Sequence, residues 1–172
     1  MIKYQIGYGL KIVFIGINPH PGSARRGVPF SNNKMFWYLL HDAGLLHEPR
    51  EILKDDAQLK NLYLHAFKKV YHFGLLNIAD RVTKTASVIT RAESVAGAEH
   101  IRKAIERYKP LVVCFVSKIT YDRFIGSSKV SYGWQPAIGS SKIYVMHDPH
   151  HGLASIRIKE LQEINSFLVH QK

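Results

Sequence analysis

Two short stretches of this chain combine polar side chains that could do chemistry with the Gly and Pro residues that hold a loop in one shape. The first runs Gly16-Ile17-Asn18-Pro19-His20-Pro21-Gly22-Ser23-Ala24-Arg25-Arg26-Gly27-Val28-Pro29-Phe30, with three prolines and three glycines. The Asn18 amide can donate through its NH2 group while its oxygen accepts from a water, which fixes that water's angle. It could equally close an Asx turn on loop backbone. Phe30, placed after Val28-Pro29 and before Ser31-Asn32-Asn33, is either a stacking surface or part of the core. The second stretch is His147-Asp148-Pro149-His150-His151-Gly152-Leu153. A carboxylate beside imidazoles can orient and charge a proton donor near neutral pH. The same residue types also suit zinc or iron. Cys114 lies mid-way through the apolar run Leu111–Val116, which reads as core and not as a nucleophile. Lys84 and Lys118 stand in neither stretch, so Schiff-base chemistry is not expected and simple hydrolysis is.

Both stretches need a scaffold. Apolar periodicity predicts strands over Lys11–Asn18, Phe73–Ala79, Leu111–Val116 and Lys142–His147. It predicts helices over Asn32–Gly44, Asp55–Tyr71, Glu93–Tyr108, Lys118–Phe124 and Ile158–Val169, the second with Leu59, Leu62, Tyr63, Ala66, Phe67 and Val70 inward. Strands alternating with helices imply an α/β fold with a mostly parallel four-stranded sheet covered on both faces. In such folds sites form at the carboxyl edge of the strands. The loops after Asn18, Ala79, Val116 and His147 are therefore expected to meet.

A length of 172 residues fits one domain, 1–172, with a sizeable core. One cysteine excludes an intramolecular disulfide and any cluster held by several thiolates. No apolar run approaches the ~18 residues of a membrane span. Met1–Leu10 lacks the apolar stretch of a signal peptide, so a cytoplasmic protein is expected. Lys and Arg number 24 against 13 Asp and Glu, a formal charge of +11, which favours a polyanionic partner through long-range attraction and counterion release.

Gly16-Ile17-Asn18-Pro19, Ser23-Ala24, Gly27-Val28-Pro29-Phe30 and Phe36-Trp37 together resemble the first motif of the uracil-DNA glycosylase superfamily. The resemblance is closest to its mismatch-specific uracil/thymine branch, with His20 where that branch normally has Gly. Gly74–Thr83 resembles the family's G-x-T-x-x-x-x-R-x-T segment, and the likeness extends from Lys11 to the last helix. It implies a three-layer α/β/α sandwich and a glycosylase that hydrolyses the N-glycosidic bond of a flipped deaminated or mismatched base, most simply uracil, in base excision repair. Asn18 would position the water. Backbone around Ile17 and Phe30 would polarise the pyrimidine carbonyls, the Phe30 ring would stack on the base, and Ser23, Ala24 and Asn77 would complete the pocket. Arg25, Arg26 and Arg157 would hold phosphate, and Gly152-Leu153 would supply the wedge that enters the duplex.

The second motif departs from the family. Asp148-Pro149-His150-His151 replaces a neutral polar loop, so Asp148 and His150 become candidate catalytic residues: Asp148 could orient a histidine or act as a base, and His150 or His151 could donate to the leaving base. The expected partner is double-stranded DNA with a damaged or mismatched base, met by a monomer using no cofactor or metal. Two other functions remain open from sequence: a non-catalytic nucleic-acid-binding module of the same fold, and a metal-dependent phosphoesterase built on His147, Asp148, His150 and His151.

Overall fold

The computed structural model describes residues 1–171. Its sheet has five strands, β1 (Ile12–Gly16), β2 (Phe73–Asn77), β3 (Val112–Val116), β4 (Gly133–Ile138) and β5 (Ser141–Met146), in the order β2-β1-β3-β5-β4. The four predicted strands are present and mutually parallel. Helices α1 (Pro21–Arg26), α2 (Met35–Asp42), α3 (Arg50–Lys54), α4 (Asp56–Leu62), α5 (Arg91–Tyr108), α6 (Lys118–Ile125) and α7 (Ala154–Val169) connect or flank them.

The alternation of β1 shows how the layers form. Ile12 and Phe14 point into one core, with Phe36, Trp37, Tyr63, Phe67, Leu161 and Ile164, beneath α2, α4 and α7. Val13 and Ile15 point into the other, with Ile101, Phe115, Tyr121 and Phe124, beneath α5 and α6. Strands covered on both faces are apolar throughout, and β1, β2 and β3 are fully buried. The fold is the expected three-layer α/β/α sandwich.

The fifth strand was not predicted. β4 runs antiparallel to β5 at the sheet edge and is mostly exposed, and its register shifts between Gln135 and Ile138, around Pro136. Proline removes a ladder donor and is tolerated only at such an edge; its presence, with Gly and Ser on either side, hid the strand. The predicted Asp55–Tyr71 helix also differs. It is α4 followed by a π turn over Tyr63–Phe67. The π turn inserts a residue into the helical repeat, keeps Tyr63 and Phe67 buried and leaves Val70, expected inward, 65% exposed. The Asn32–Gly44 helix begins only at Met35, which frees Asn32 and Asn33 for the loop.

Gly97 fixes the approach of α5 to the sheet. A Cβ at this position would land on the Ile78 carbonyl, one residue beyond β2. The start of α5 is closed by a capping box, with Thr90 accepting from Glu93 N and Glu93 accepting from Thr90 N. Arg81 pairs with Glu93 at 2.7 and 3.0 Å and donates to the Val88 carbonyl, while Arg123 donates to the Ala86 and Ile89 carbonyls. The segment between β2 and α5 is thus braced from both sides. Because a backbone carbonyl cannot move aside as a side chain can, Gly97→Ala is expected to cost about 3 kcal/mol and to lower the melting temperature by roughly 6–12 °C. A thermal unfolding midpoint within a degree of the wild-type value would show that the approach is not tight.

Candidate active site

A cleft of about 320 Å³ opens at the carboxyl edge of the sheet, lined among others by Asn18, Ser23, Phe30, Asn77, Lys84, His150 and His151. Three of the four loops expected to meet do so: those after β1, β2 and β5. The loop after β3 does not line the cleft; Lys118 instead lies 5.7 Å over the Tyr132 ring.

Asn18 sits two residues past β1. Its Nδ2 donates to Thr83 Oγ1 at 2.8 Å, to the Thr83 carbonyl at 3.2 Å and to the Pro19 carbonyl at 3.3 Å. A carbonyl can only accept, so these contacts fix which end of the amide faces the protein. Oδ1 has no hydrogen-bond partner among the described residues, and Asn18 lines the cleft. An Asx turn needs Oδ1 to accept from loop backbone, and none of the three contacts is of that kind. Thr83 also donates to the Thr85 carbonyl at 2.6 Å, so its hydroxyl is oriented to accept from Asn18. In the sequence Thr83 is only the end of a motif; its partnership with Asn18 is invisible there because 65 residues separate the two.

Phe30 has φ +54°, a left-handed conformation costly for a side chain of this size. What holds it is the Phe36-Trp37 pair. The Phe30 and Phe36 rings lie 4.5 Å apart at 33°, and Trp37 Nε1 donates to the Pro29 carbonyl at 2.9 Å. One face of Phe30 is therefore supported by the core while the residue lines the cleft. Gly16 completes the arrangement, since a Cβ there would strike Asn77 Oδ1 and come within 3.0 Å of the Phe30 ring. Asn77, at the end of β2, donates through Nδ2 to the Tyr4 hydroxyl at 2.9 Å. Burial pushes that hydroxyl up to about 12, so it remains protonated.

Ser23 lines the cleft, but its Oγ accepts from Ser31 N at 3.1 Å and Asn32 N at 2.9 Å, so it staples the loop. Ile17 is not among the lining residues; its carbonyl accepts from Ala79 N at 2.8 Å. Arg25 is exposed and has no carboxylate partner among the described residues. Arg26, expected on phosphate, is instead paired with Asp56 at 3.0 Å and donates to the Gly22 carbonyl.

The loop after β5 folds over a buried guanidinium. Arg157 was expected on phosphate, yet it is 5% exposed and donates to the carbonyls of Asp148 and Leu153. Its place in the first turn of α7 puts the side chain beneath the loop. Gly152, at φ +81°, lies against it, and Leu153, the residue that caps the start of α7, is left 68% exposed. His147 turns away from the cleft: its ring stacks on Tyr132 at 3.5 Å, and Nδ1 meets Glu160 Oε1 at 2.5 Å. Glu160, which also accepts from His147 N at 3.0 Å, was not singled out in the sequence. His147 therefore leaves the cluster proposed for a metal, and no group of three metal-binding side chains gathers among the described residues.

His150 and His151 do line the cleft. His150 Nδ1 lies 3.3 Å from Asp148 Oδ1, and the same oxygen accepts from His150 N at 2.7 Å. Donation to the Asp148 carboxylate raises the His150 pKa against the opposing effect of burial, aided by the Asn33 carbonyl. Burial pushes Asp148 upward, but its bonds with His150 outweigh this and hold it below the usual carboxylate value.

A family model of the uracil DNA glycosylase superfamily matches residues 4–168. The chain belongs to that superfamily. Members of the uracil DNA glycosylase superfamily are hydrolases of base excision repair that act on DNA, and both motif loops of this chain fall within the matched span. The superfamily match covers the whole sheet, from Tyr4, whose hydroxyl meets Asn77, into the last turn of α7.

Proposed function

We propose that this glycosylase excises a uracil-type base, from a mismatch as in the mismatch-specific branch, by direct hydrolysis with Asn18 holding the attacking water. The observation that carries the reading is the orientation of the Asn18 amide. Its nitrogen is spent on Thr83 and Pro19, so Oδ1 faces a water as an acceptor and aims that water's lone pair at the anomeric carbon. The transition state of such a cleavage carries positive charge on the sugar, so a fixed dipole and a placed water matter more than a strong nucleophile. The base would lie on Phe30, with Asn77 at its edge.

Leu153 is exposed at the start of α7, at the end of the loop whose His150 and His151 line this cleft, and an apolar side chain there can fill the gap left by a flipped base. Arg25 and the +11 charge supply phosphate attraction. His150, charged by Asp148, would give a proton to the departing base. The protein would act on double-stranded DNA as a monomer, without cofactor or metal.

The test is a panel of labelled duplexes carrying uracil, a thymine mismatch, hypoxanthine, xanthine or ethenocytosine, scored for abasic sites after alkali. Release of uracil opposite guanine is expected. Binding without release from any member would mark a non-catalytic module.

A further inference from the structure

Lys84 lies outside both motif loops in sequence, yet it lines the same cleft as Asn18, His150 and His151. Its position follows from the Asn18 anchor. Thr83 holds the Asn18 amide through its hydroxyl and its carbonyl at 2.8 and 3.2 Å, and the next Cα is about 3.8 Å further on. A flexible four-carbon stem from there lines the same cleft as Asn18. Lys84 forms no ion pair among the described residues, whereas Arg26 and Lys34 are held on Asp56 and Arg81 on Glu93; Arg25 is also without a carboxylate partner but does not line the cleft. Lys84 is the one lysine among the lining residues.

We propose that Lys84 gives the enzyme a second activity, cleavage of the DNA strand at an abasic site by way of an imine. It rests on the excision reading only for the origin of the abasic site. An abasic deoxyribose opens to an aldehyde at C1′. The Lys84 Nζ, having lost a proton to solvent, adds to C1′, and loss of one water gives the protonated imine. The imine draws electrons from C2′, whose proton passes to the His151 ring, which has no hydrogen-bonded partner among the described residues. The electron pair forms the C2′–C3′ double bond and expels the 3′-phosphate as the C3′–O bond breaks. One water then hydrolyses the imine and restores the amine. Water lost equals water regained, and neither oxidant nor reductant is consumed.

The experiment uses the full chain and a duplex with a preformed abasic site, so that excision is not required. Sodium borohydride reduces an imine to a stable amine. A covalent protein–DNA adduct is expected, mapping by mass spectrometry to Lys84. Without borohydride, strand cleavage by the wild-type protein is expected to exceed that of Lys84→Arg at least tenfold. Arginine keeps the charge but stays protonated, so the adduct disappears, while circular dichroism and duplex affinity report that fold and binding persist. Absence of a wild-type adduct, or an adduct of equal yield with Lys84→Arg, overturns the proposal. Uracil release measured separately can fail or succeed independently of either result.

Discussion

Replacing Asn18 by Ala is expected to leave the protein folded and bound to DNA while slowing base release about 10³-fold, the order of loss seen when one preorganised polar group is removed from a charge-developing transition state. Asn18 contributes little to the core, since its side chain reaches loop groups and the cleft and none of the buried apolar cluster. Its loss strands the Thr83 hydroxyl and carbonyl at a solvent-accessible site, where water can replace the amide. What water cannot replace is the fixed angle of Oδ1. The measurement is a single-turnover rate on a uracil duplex, alongside affinity for the same duplex and a melting temperature. Thr83→Ala provides an internal check: it keeps Asn18 but removes the 2.8 Å bond, leaving only the two carbonyl acceptors. A loss smaller than that of Asn18→Ala, with unchanged duplex affinity, is expected. An Asn18→Ala enzyme that cuts at the wild-type rate would remove this mechanism altogether.

Position along the sheet was legible in the sequence because it depends on apolar periodicity, which β1, β2, β3 and β5 state strongly. β4 was not, because an exposed edge strand needs no apolar run and this one contains Pro136. Asn18, Phe30 and His150 stand out because loops rich in Gly and Pro limit what a polar or aromatic side chain there can be for, whereas Asn77, the last residue of β2, is reached only through the family resemblance. Arg26 and Arg157 differ from the sequence expectation for one reason. Charge is visible in sequence, but whether a carboxylate or a carbonyl lies within reach is a tertiary fact, and Arg26 and Arg157 are consumed by Asp56 and by the loop over α7. Lys84 is the converse, set aside by its place in the chain and brought to the cleft by the Thr83–Asn18 contact.

The pairing of Asp148 with His150 at the cleft makes the pH dependence of excision a decisive measurement. His150 must be charged to donate, and the Asp148 bond raises its pKa above the ordinary value of about 6.5. Excision is therefore expected to be full at lower pH and to fall as pH rises through that raised value. Asp148 and the Asn33 carbonyl act on the ring, and His151 on its own loop, His20 after β1 and Lys84 after β2 line the same cleft. Of these, Asp148 and the Asn33 carbonyl hold the proton on the ring, and donation to a base means exchanging the Asn33 carbonyl for a base acceptor. Asp148→Asn removes the largest cause of the shift while keeping a polar side chain of the same shape, so the alkaline fall should move to lower pH. His150→Gln should abolish the fall and slow release about 10²-fold, the lower end of what a placed acid contributes. The same sign governs stability. The contribution of the charged His150 is complete below its unfolded value and is lost as pH rises through its folded one; that of Asp148 is present above its unfolded value and lost as pH falls through its lowered one. The pair is strongest between those limits, where excision should also be fast. If Asp148→Asn and the wild type share one pH–rate profile, His150 takes no part in proton transfer, and the water held by Asn18 acts on a base that leaves unaided.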